Sequence, residues 1–154
     1  MNSTRHQTTF ALRYAVRVLE RYSAFWRVAS LVFKFASVLS GAGALVAMTG
    51  TSTRYAVALG VVFASLQALD LVLDPSSRHA MAMANRRDYA AILAKQAIHD
   101  DASLEAAYQD IVQRDEIIMP SSFKKLAFND VMDEMGLDSS QKYDKTSWVL
   151  RFLD

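Results

Sequence analysis

Two long apolar stretches separated by a short polar loop constrain this chain more than any other feature. The first covers residues 28–49 and its only charged residue is Lys34; the second covers residues 55–73 and its only charged residue is Asp70. A hydrocarbon core of about 30 Å is crossed by about 20 helical residues, and each stretch is of that length. The loop over 49–54 is rich in small polar residues, as a tight turn requires. The pattern predicts a transmembrane helical hairpin, with the buried hairpin of a soluble bundle as the alternative.

Charge divides the chain into a basic and an acidic part. Residues 1–99 carry 11 Lys/Arg and 4 Asp/Glu, whereas residues 100–154 carry 6 and 12, although the whole chain has a net charge of only +1. This segregation predicts a membrane module followed by a soluble one. Basic residues flank both apolar stretches on their outer sides, while the loop carries Arg54 alone. The positive-inside rule therefore places both termini in the cytoplasm.

The predicted fold class is all-α, because strand-like alternation of apolar and polar residues is absent. We expect three segments: a basic amphipathic interfacial helix over 1–27, a two-span hairpin over 28–74, and a cytoplasmic helical segment over 75–154. Asp74 and Pro75 have the residue types that cap and open a helix. Helices are predicted over 76–98, from a start within 100–105 to 119, over 122–135 (ended by Gly136) and over 144–153.

The first segment carries a stripe of arginines on one helical face. Arg13, Arg17 and Arg21 recur every four residues, beside an apolar stripe. One interpretation is an interfacial helix that binds anionic lipid. Others are a site for a phosphate-rich ligand or a solvated face that only fixes topology. Direct binding of nucleic acid is disfavoured, because no aromatic platform is interleaved with the arginines.

Small and polar residues are spaced along one face of each apolar stretch. In the first, the candidate pore-lining residues gather on one face: Ser30, Lys34, Ser37, Gly41 and Ala44. In the second, small residues recur every four positions: Ala56, Gly60, Ala64 and Ala68. Such a ridge lets two helix backbones approach closely in lipid. The ridge serves packing within the hairpin or packing between protomers, and the sequence leaves both open.

Two charged residues inside the apolar stretches are expected at similar depth. Counted from the loop, Lys34 and Asp70 lie about equally far along an antiparallel hairpin, near its cytoplasmic end. Gln67 lies one turn deeper. These three are candidates for an intramembrane polar pair; alternatively Lys34 extends to the headgroups or faces water in an oligomeric pore.

The sequence offers little to an enzyme. His6, His79 and His99 have no partner at ligand spacing, so no metal site is expected. No cysteine is present, and no glycine-rich phosphate loop follows a strand. The acidic pairs are adjacent residues, which do not face one another on a helix. We therefore expect neither catalysis nor a cofactor.

Several stretches, taken in order, resemble a known family over roughly residues 8–136. These are the basic lead-in over 13–27, the two apolar stretches, then Leu69, Asp70, Asp74, Pro75, Ser76 and Ser77, then Ala80, Ala84, Asn85, Tyr89 and Leu93, and finally Met119, Pro120, Leu126, Ala127, Asn129 and Asp130. In this order the chain resembles the SLATT family, two-transmembrane effector domains of bacterial conflict and anti-phage systems.

The resemblance implies a homo-oligomer in the inner membrane that opens a pore when a sensor signals infection, often through a nucleotide. Unlike fused members of that family, this chain carries no sensing domain, so a separate sensor protein or ligand would supply the trigger. The rival hypothesis is a non-conducting membrane anchor whose acidic C-terminal helices recruit a cytoplasmic partner.

Overall fold

The structure, a computed structural model, describes residues 2–49, 53–137, 140 and 142–143, and that part of the chain contains helices and no strands. Five α-helices follow one another in the described residues: α1 (Asn2–Thr49), α2 (Thr53–Leu73), α3 (Pro75–Ala94), α4 (Asp101–Arg114) and α5 (Ser121–Glu134). The all-α fold class is confirmed. The helix predicted over 144–153 lies outside the described residues.

A single helix of 48 residues replaces the separate interfacial helix and first span that the sequence predicted. No helix break occurs at residues 27–28, because nothing there interrupts a helix. Proline does not occur before Pro75, and the first glycine is Gly41. Continuous i to i+4 hydrogen bonding therefore carries α1 from the basic stripe into the apolar stretch.

The predicted start of α3 is confirmed in its capping geometry. The backbone N–H of Ser77 donates to Asp74 Oδ1 at 3.2 Å, and Pro75 occupies the first turn, where a missing N–H costs nothing. Asp74 itself has a φ of 40°, a left-handed conformation that aspartate tolerates better than most residues. One residue therefore separates α2 from α3.

Two helices end earlier than predicted. α3 ends at Ala94, and residues 95–98 form turns. α4 ends at Arg114, where Asp115 adopts an extended backbone and its side chain accepts from the N–H of Ile117 at 3.1 Å. Such a local side-chain bond competes with helix continuation. The predicted end of α5 is confirmed, with Gly136 at a φ of 63°.

The chain forms two compact units, and their boundaries differ from the three predicted segments. The first unit combines residues 1–24 with 80–154; the second consists of residues 25–79. The N-terminal part of α1 therefore belongs with the helices that follow the hairpin and is not a segment of its own. The sequence missed this, because pairing between residues 100 positions apart leaves no local pattern.

The first unit has a conventional apolar core. Side chains from four helices are buried there: Leu12, Val18, Leu19 and Tyr22 from α1, Ala82 and Tyr89 from α3, Leu104 and Ile111 from α4, and Phe123, Leu126, Ala127, Val131 and Met132 from α5. The rings of Tyr22 and Phe123 meet edge to face, with centroids 5.8 Å apart. This core attaches α1 to α5.

The second unit is an antiparallel helical hairpin. A Cβ added at Gly41 would lie 3.4 Å from the ring of Phe63, and one at Gly43 would lie 3.2 Å from a methyl carbon of Leu59. The glycines of α1 therefore lie against large side chains of α2. The absence of a Cβ permits this close approach of the two helices.

Candidate functional site

The hairpin exposes its large apolar side chains and buries small polar ones. On α1, Ser30 and Ser37 are 7% and 6% exposed, while Phe35 is 70% exposed. The other exposed large apolar side chains include Val28, Leu31, Val32, Val38 and Leu39 on α1 and Val57, Val61, Leu69, Leu71 and Val72 on α2. A helix pair folded in water shows the reverse distribution.

Two helical stretches are long and apolar enough to cross a membrane. They run over Arg5–Gly43 and Val57–Ala94, with mean hydropathy of 1.2 and 1.8 in their most apolar windows. Length and composition alone also fit the core helix of a soluble protein, but such a helix is mostly buried. Here 11% and 0% of the two windows are buried. The hairpin therefore has the composition of a membrane-associated structure.

The predicted pore-lining face of α1 is turned toward the interior of the hairpin. Ser30 and Ser37 are buried there, and Gly41 contacts Phe63. Lys34 alone of the described members is exposed, because its long side chain extends away from the helix. The side chain of Ala44 lies outside what the structure describes. A pore lined by this face would require the two helices to repack.

The polar residues of the hairpin are arranged differently from the predicted Lys34–Asp70 pair. The hydroxyls of Ser30 and Ser76 lie 3.2 Å apart, and Lys34 Nζ donates to Ser76 Oγ at 3.5 Å. Lys34 thus extends toward the start of α3, the direction of the predicted cytoplasmic surface. Asp70 Oδ1 is buried and has no hydrogen-bond partner among the residues that the structure describes. Gln67 is exposed.

The small-residue ridge of α2 does not form the hairpin's own interface in the part of it that is described. Ala64 and Ala68 are exposed, and a Cβ at Gly60 would meet nothing within 4 Å. The side chain of Ala56 lies outside the description. Gln67 is on the same face as Gly60 and Ala64, within about 60° around the helix axis. The ridge and an exposed amide therefore share one outer surface.

The arginine stripe of α1 meets acidic residues of α5. Arg13 and Arg17 contact the carboxylate of Glu134, at 2.8 Å and 3.3 Å. Arg21 binds Asp130 through Nε at 2.7 Å and Nη2 at 3.0 Å. The spacing of four residues on both helices matches these charges. An anionic lipid or phosphate would therefore compete with Glu134 and Asp130 for the stripe.

Sequence analysis missed Asp115, which holds the segment between α4 and α5. Its carboxylate accepts from Asn85 Nδ2 at 2.9 Å, from the Tyr89 hydroxyl at 3.1 Å and from the backbone N–H of Ile117. Burial, and after it the charge of Asp115, raises the pKa of Tyr89. The sequence signal that could have indicated this site is the spacing of Asn85 and Tyr89, which lie one helical turn apart.

No group of three or more metal-ligating side chains occurs among the described residues. Comparison with protein-family models, curated proteins and solved structures finds no match to this chain.

Proposed function

We propose that residues 28–73 cross a bilayer twice, with both termini in the cytoplasm, and that the chain is a pore-forming effector of bacterial anti-phage defence. The observation that carries the membrane part is the exposure of large apolar side chains along both helices of the hairpin. Soluble monomers rarely expose contiguous apolar patches larger than a few hundred Å². In lipid the same surface costs nothing.

The cytoplasmic end of the hairpin has features of a membrane interface. The guanidinium of Arg78 lies 5.1 Å from the ring centroid of Trp26 and donates to the carbonyl oxygen of Leu73 at 2.8 Å. Aromatic rings and basic side chains are enriched at the headgroup level. Lys34 extends toward the same end, which keeps its charge away from the hydrocarbon centre.

Self-association is supported by the outer surface of α2. Gly60 and Ala64 leave room for a second helix backbone, and the exposed amide of Gln67 offers donors and acceptors beside them. In lipid, close packing at small residues and hydrogen bonds between helices drive association. We propose that a second copy of the chain packs here and that the active form is a homo-oligomer.

The proposal that a pore opens rests on the resemblance to the SLATT family. In the proposed mechanism the polar face of α1, with Ser30 and Ser37, moves from the hairpin interior to line an aqueous path between protomers. A separate sensor protein or nucleotide-type signal, acting on the cytoplasmic helices, supplies the free energy for this repacking. No enzymatic step is required.

A second candidate function is a non-conducting membrane anchor that recruits a cytoplasmic partner. The burial of Ser30 and Ser37 inside the hairpin favours it, because the described part of the hairpin presents no continuous polar face. Part of the acidic charge is not available to such a partner, however. Asp101, Asp130 and Glu134 contact arginines of α1.

Cysteine labelling tests the topology directly, because the chain contains no cysteine of its own. In intact cells, an impermeant thiol reagent should label Thr51→Cys from outside, and should label Ala97→Cys only after permeabilisation. Protein that stays in the supernatant after high-speed centrifugation, or a Thr51→Cys chain that is protected in intact cells, would overturn the membrane assignment.

Conduction is tested separately by following membrane potential in cells that express the chain together with its neighbouring genes. We expect depolarisation on activation, and a change in leak without loss of insertion for Lys34→Ala. A membrane-inserted chain that never depolarises the cells, and whose Lys34→Ala variant behaves as the parent does, would instead establish the anchor.

A further inference from the structure

A cavity of about 300 Å³, partly open to solvent, lies in the first unit between α1, α3, α4, the segment that joins α4 to α5, and the first turn of α5. Three tyrosines line it, one from each helix: Tyr14, Tyr89 and Tyr108. Val112 and Met119 contribute apolar surface. Its volume is at the lower end of the range for small-molecule sites, and it has the concave, largely apolar walls of such sites.

The cavity contains a carboxylate whose charge is not neutralised by a cation. Asp115 lines the wall and accepts from Asn85, Tyr89 and Ile117, which are all uncharged donors. Within the described part of the chain it forms no ion pair. A carboxylate whose hydrogen-bond donors are all neutral offers an electrostatic partner to a positively charged group.

The tyrosines that line the cavity also favour a positively charged ligand. The rings of Tyr89 and Tyr108 have centroids 6.4 Å apart and are tilted by 51°, so their faces are not stacked against each other. Burial raises the pKa of Tyr14 and of Tyr108, which keeps both phenols neutral. Aromatic faces attract cations electrostatically, and several rings around one space form the arrangement that recognises alkylated ammonium groups.

Lys124 also lines the cavity and has the opposite effect. It is exposed on α5, where water screens its charge. Asp115 is partly buried, and its interaction with a bound charge is screened less. The balance therefore favours a positively charged group near Asp115 and the tyrosines.

We infer that this cavity, lined by Tyr14, Tyr89, Tyr108 and Asp115, is a binding site for a small alkylammonium ligand. The methyl or methylene groups of the ligand contact Val112 and Met119, and its charge lies against Asp115 and the faces of Tyr14 and Tyr108. The inference is independent of whether the hairpin conducts, because every residue that carries it belongs to the first unit.

Choline and its uncharged isostere 3,3-dimethylbutan-1-ol test the proposal in the full chain, purified in a non-ionic detergent. Isothermal titration calorimetry should show saturable binding of choline at one site per chain. We expect the alcohol to bind at least about tenfold more weakly, because it has the same shape and lacks the charge. Equal binding of the two compounds, or no saturable binding of choline, would overturn the inference.

Variants that leave the fold in place assign the site. Tyr108→Leu removes one ring and should weaken choline binding about fivefold, whereas Tyr55→Leu in the hairpin should leave it unchanged. Lys124→Gln should strengthen binding about twofold, because a like charge is removed, while Lys125→Gln has no effect. Circular dichroism checks that each variant is folded. Unchanged binding by Tyr108→Leu, or weaker binding by Lys124→Gln, would contradict the assignment.

Discussion

Arg21 binds Asp130 through two donors, its Nε at 2.7 Å and its Nη2 at 3.0 Å, although the residues are separated by 109 positions in the chain. This fork-like contact fixes the angle between guanidinium and carboxylate as well as their distance. With Arg13 and Arg17 on Glu134, it places the basic stripe of α1 along the acidic face of α5. Part of the basic charge near the start of the chain is thus paired, within the first unit, with acidic charge from the part after residue 100.

Removing one partner of this ion pair should destabilise the first unit. Arg21 is 17% exposed, so Arg21→Ala leaves Asp130 partly buried beside a space without a counter-charge. We expect a loss of about 1–3 kcal/mol in the free energy of unfolding. Arg114→Ala, which removes a pair exposed at 67% on Arg114, should cost less than about 0.5 kcal/mol. Thermal unfolding in detergent compares the two, and equal losses would contradict the role of Arg21.

A charge placed on the outer surface of the hairpin should impair membrane insertion. Val38 is 70% exposed near the middle of the first apolar stretch. Val38→Arg should cost about 2.5–3.5 kcal/mol of insertion free energy, seen as loss of protein from the membrane fraction. Ile118→Arg is the control, since Ile118 is also a highly exposed apolar residue but lies outside the hairpin. Normal insertion of Val38→Arg would show that this face does not contact lipid.

A larger side chain on the small-residue ridge of α2 should reduce self-association. Gly60→Leu fills a surface at which a Cβ meets no described atom within 4 Å, so the hairpin itself should be unaffected. Gln67→Leu removes the amide on the same face. We expect each change to weaken association by about 0.6–2 kcal/mol, measured by energy transfer between labelled copies in vesicles. Val62→Leu, about 160° from Gly60 around the helix axis, should associate as the parent does. Undiminished transfer in both variants would remove the ridge from the interface.

The Tyr89–Asp115 contact should influence stability at alkaline pH. Burial and the charge of Asp115 raise the pKa of Tyr89 above its ordinary value of 10.0, so the unfolded chain loses this proton first. The stabilisation is fully present below pH 10 and is lost as the pH rises through the higher pKa of the folded state. Tyr89→Phe should therefore show a shallower loss of stability above pH 10. Tyr55→Phe is the control, and identical slopes for parent and Tyr89→Phe would refute the contact.

The helices were largely predictable from the sequence, because periodicity and capping residues are local signals. Asp74, Pro75 and Gly136 act where their chemistry indicated. Which helices of the chain pack against one another was less predictable. The acidic face of α5 against α1, and Asn85 and Tyr89 around Asp115, depend on contacts between distant positions. Neither contact leaves a pattern in a single stretch of sequence.

The arrangement of polar side chains inside the hairpin was also beyond sequence reasoning. Spacing placed Ser30, Lys34 and Ser37 on one face and allowed that face to point toward a neighbour, a pore or the second helix. The choice depends on close packing at Gly41 and Gly43 against Phe63 and Leu59, which only three-dimensional structure supplies.

When a hairpin carries its apolar side chains on the outside, the surrounding solvent helps to determine which molecules it associates with. In water, the exposed valines and leucines would bring copies together indiscriminately, at about 25 cal/mol for each Å² covered. In a bilayer that gain vanishes, because acyl chains replace water equally well. The choice of a neighbouring helix then depends on a few positions, such as Gly60 and Gln67. A single substitution there can change which helices the chain associates with.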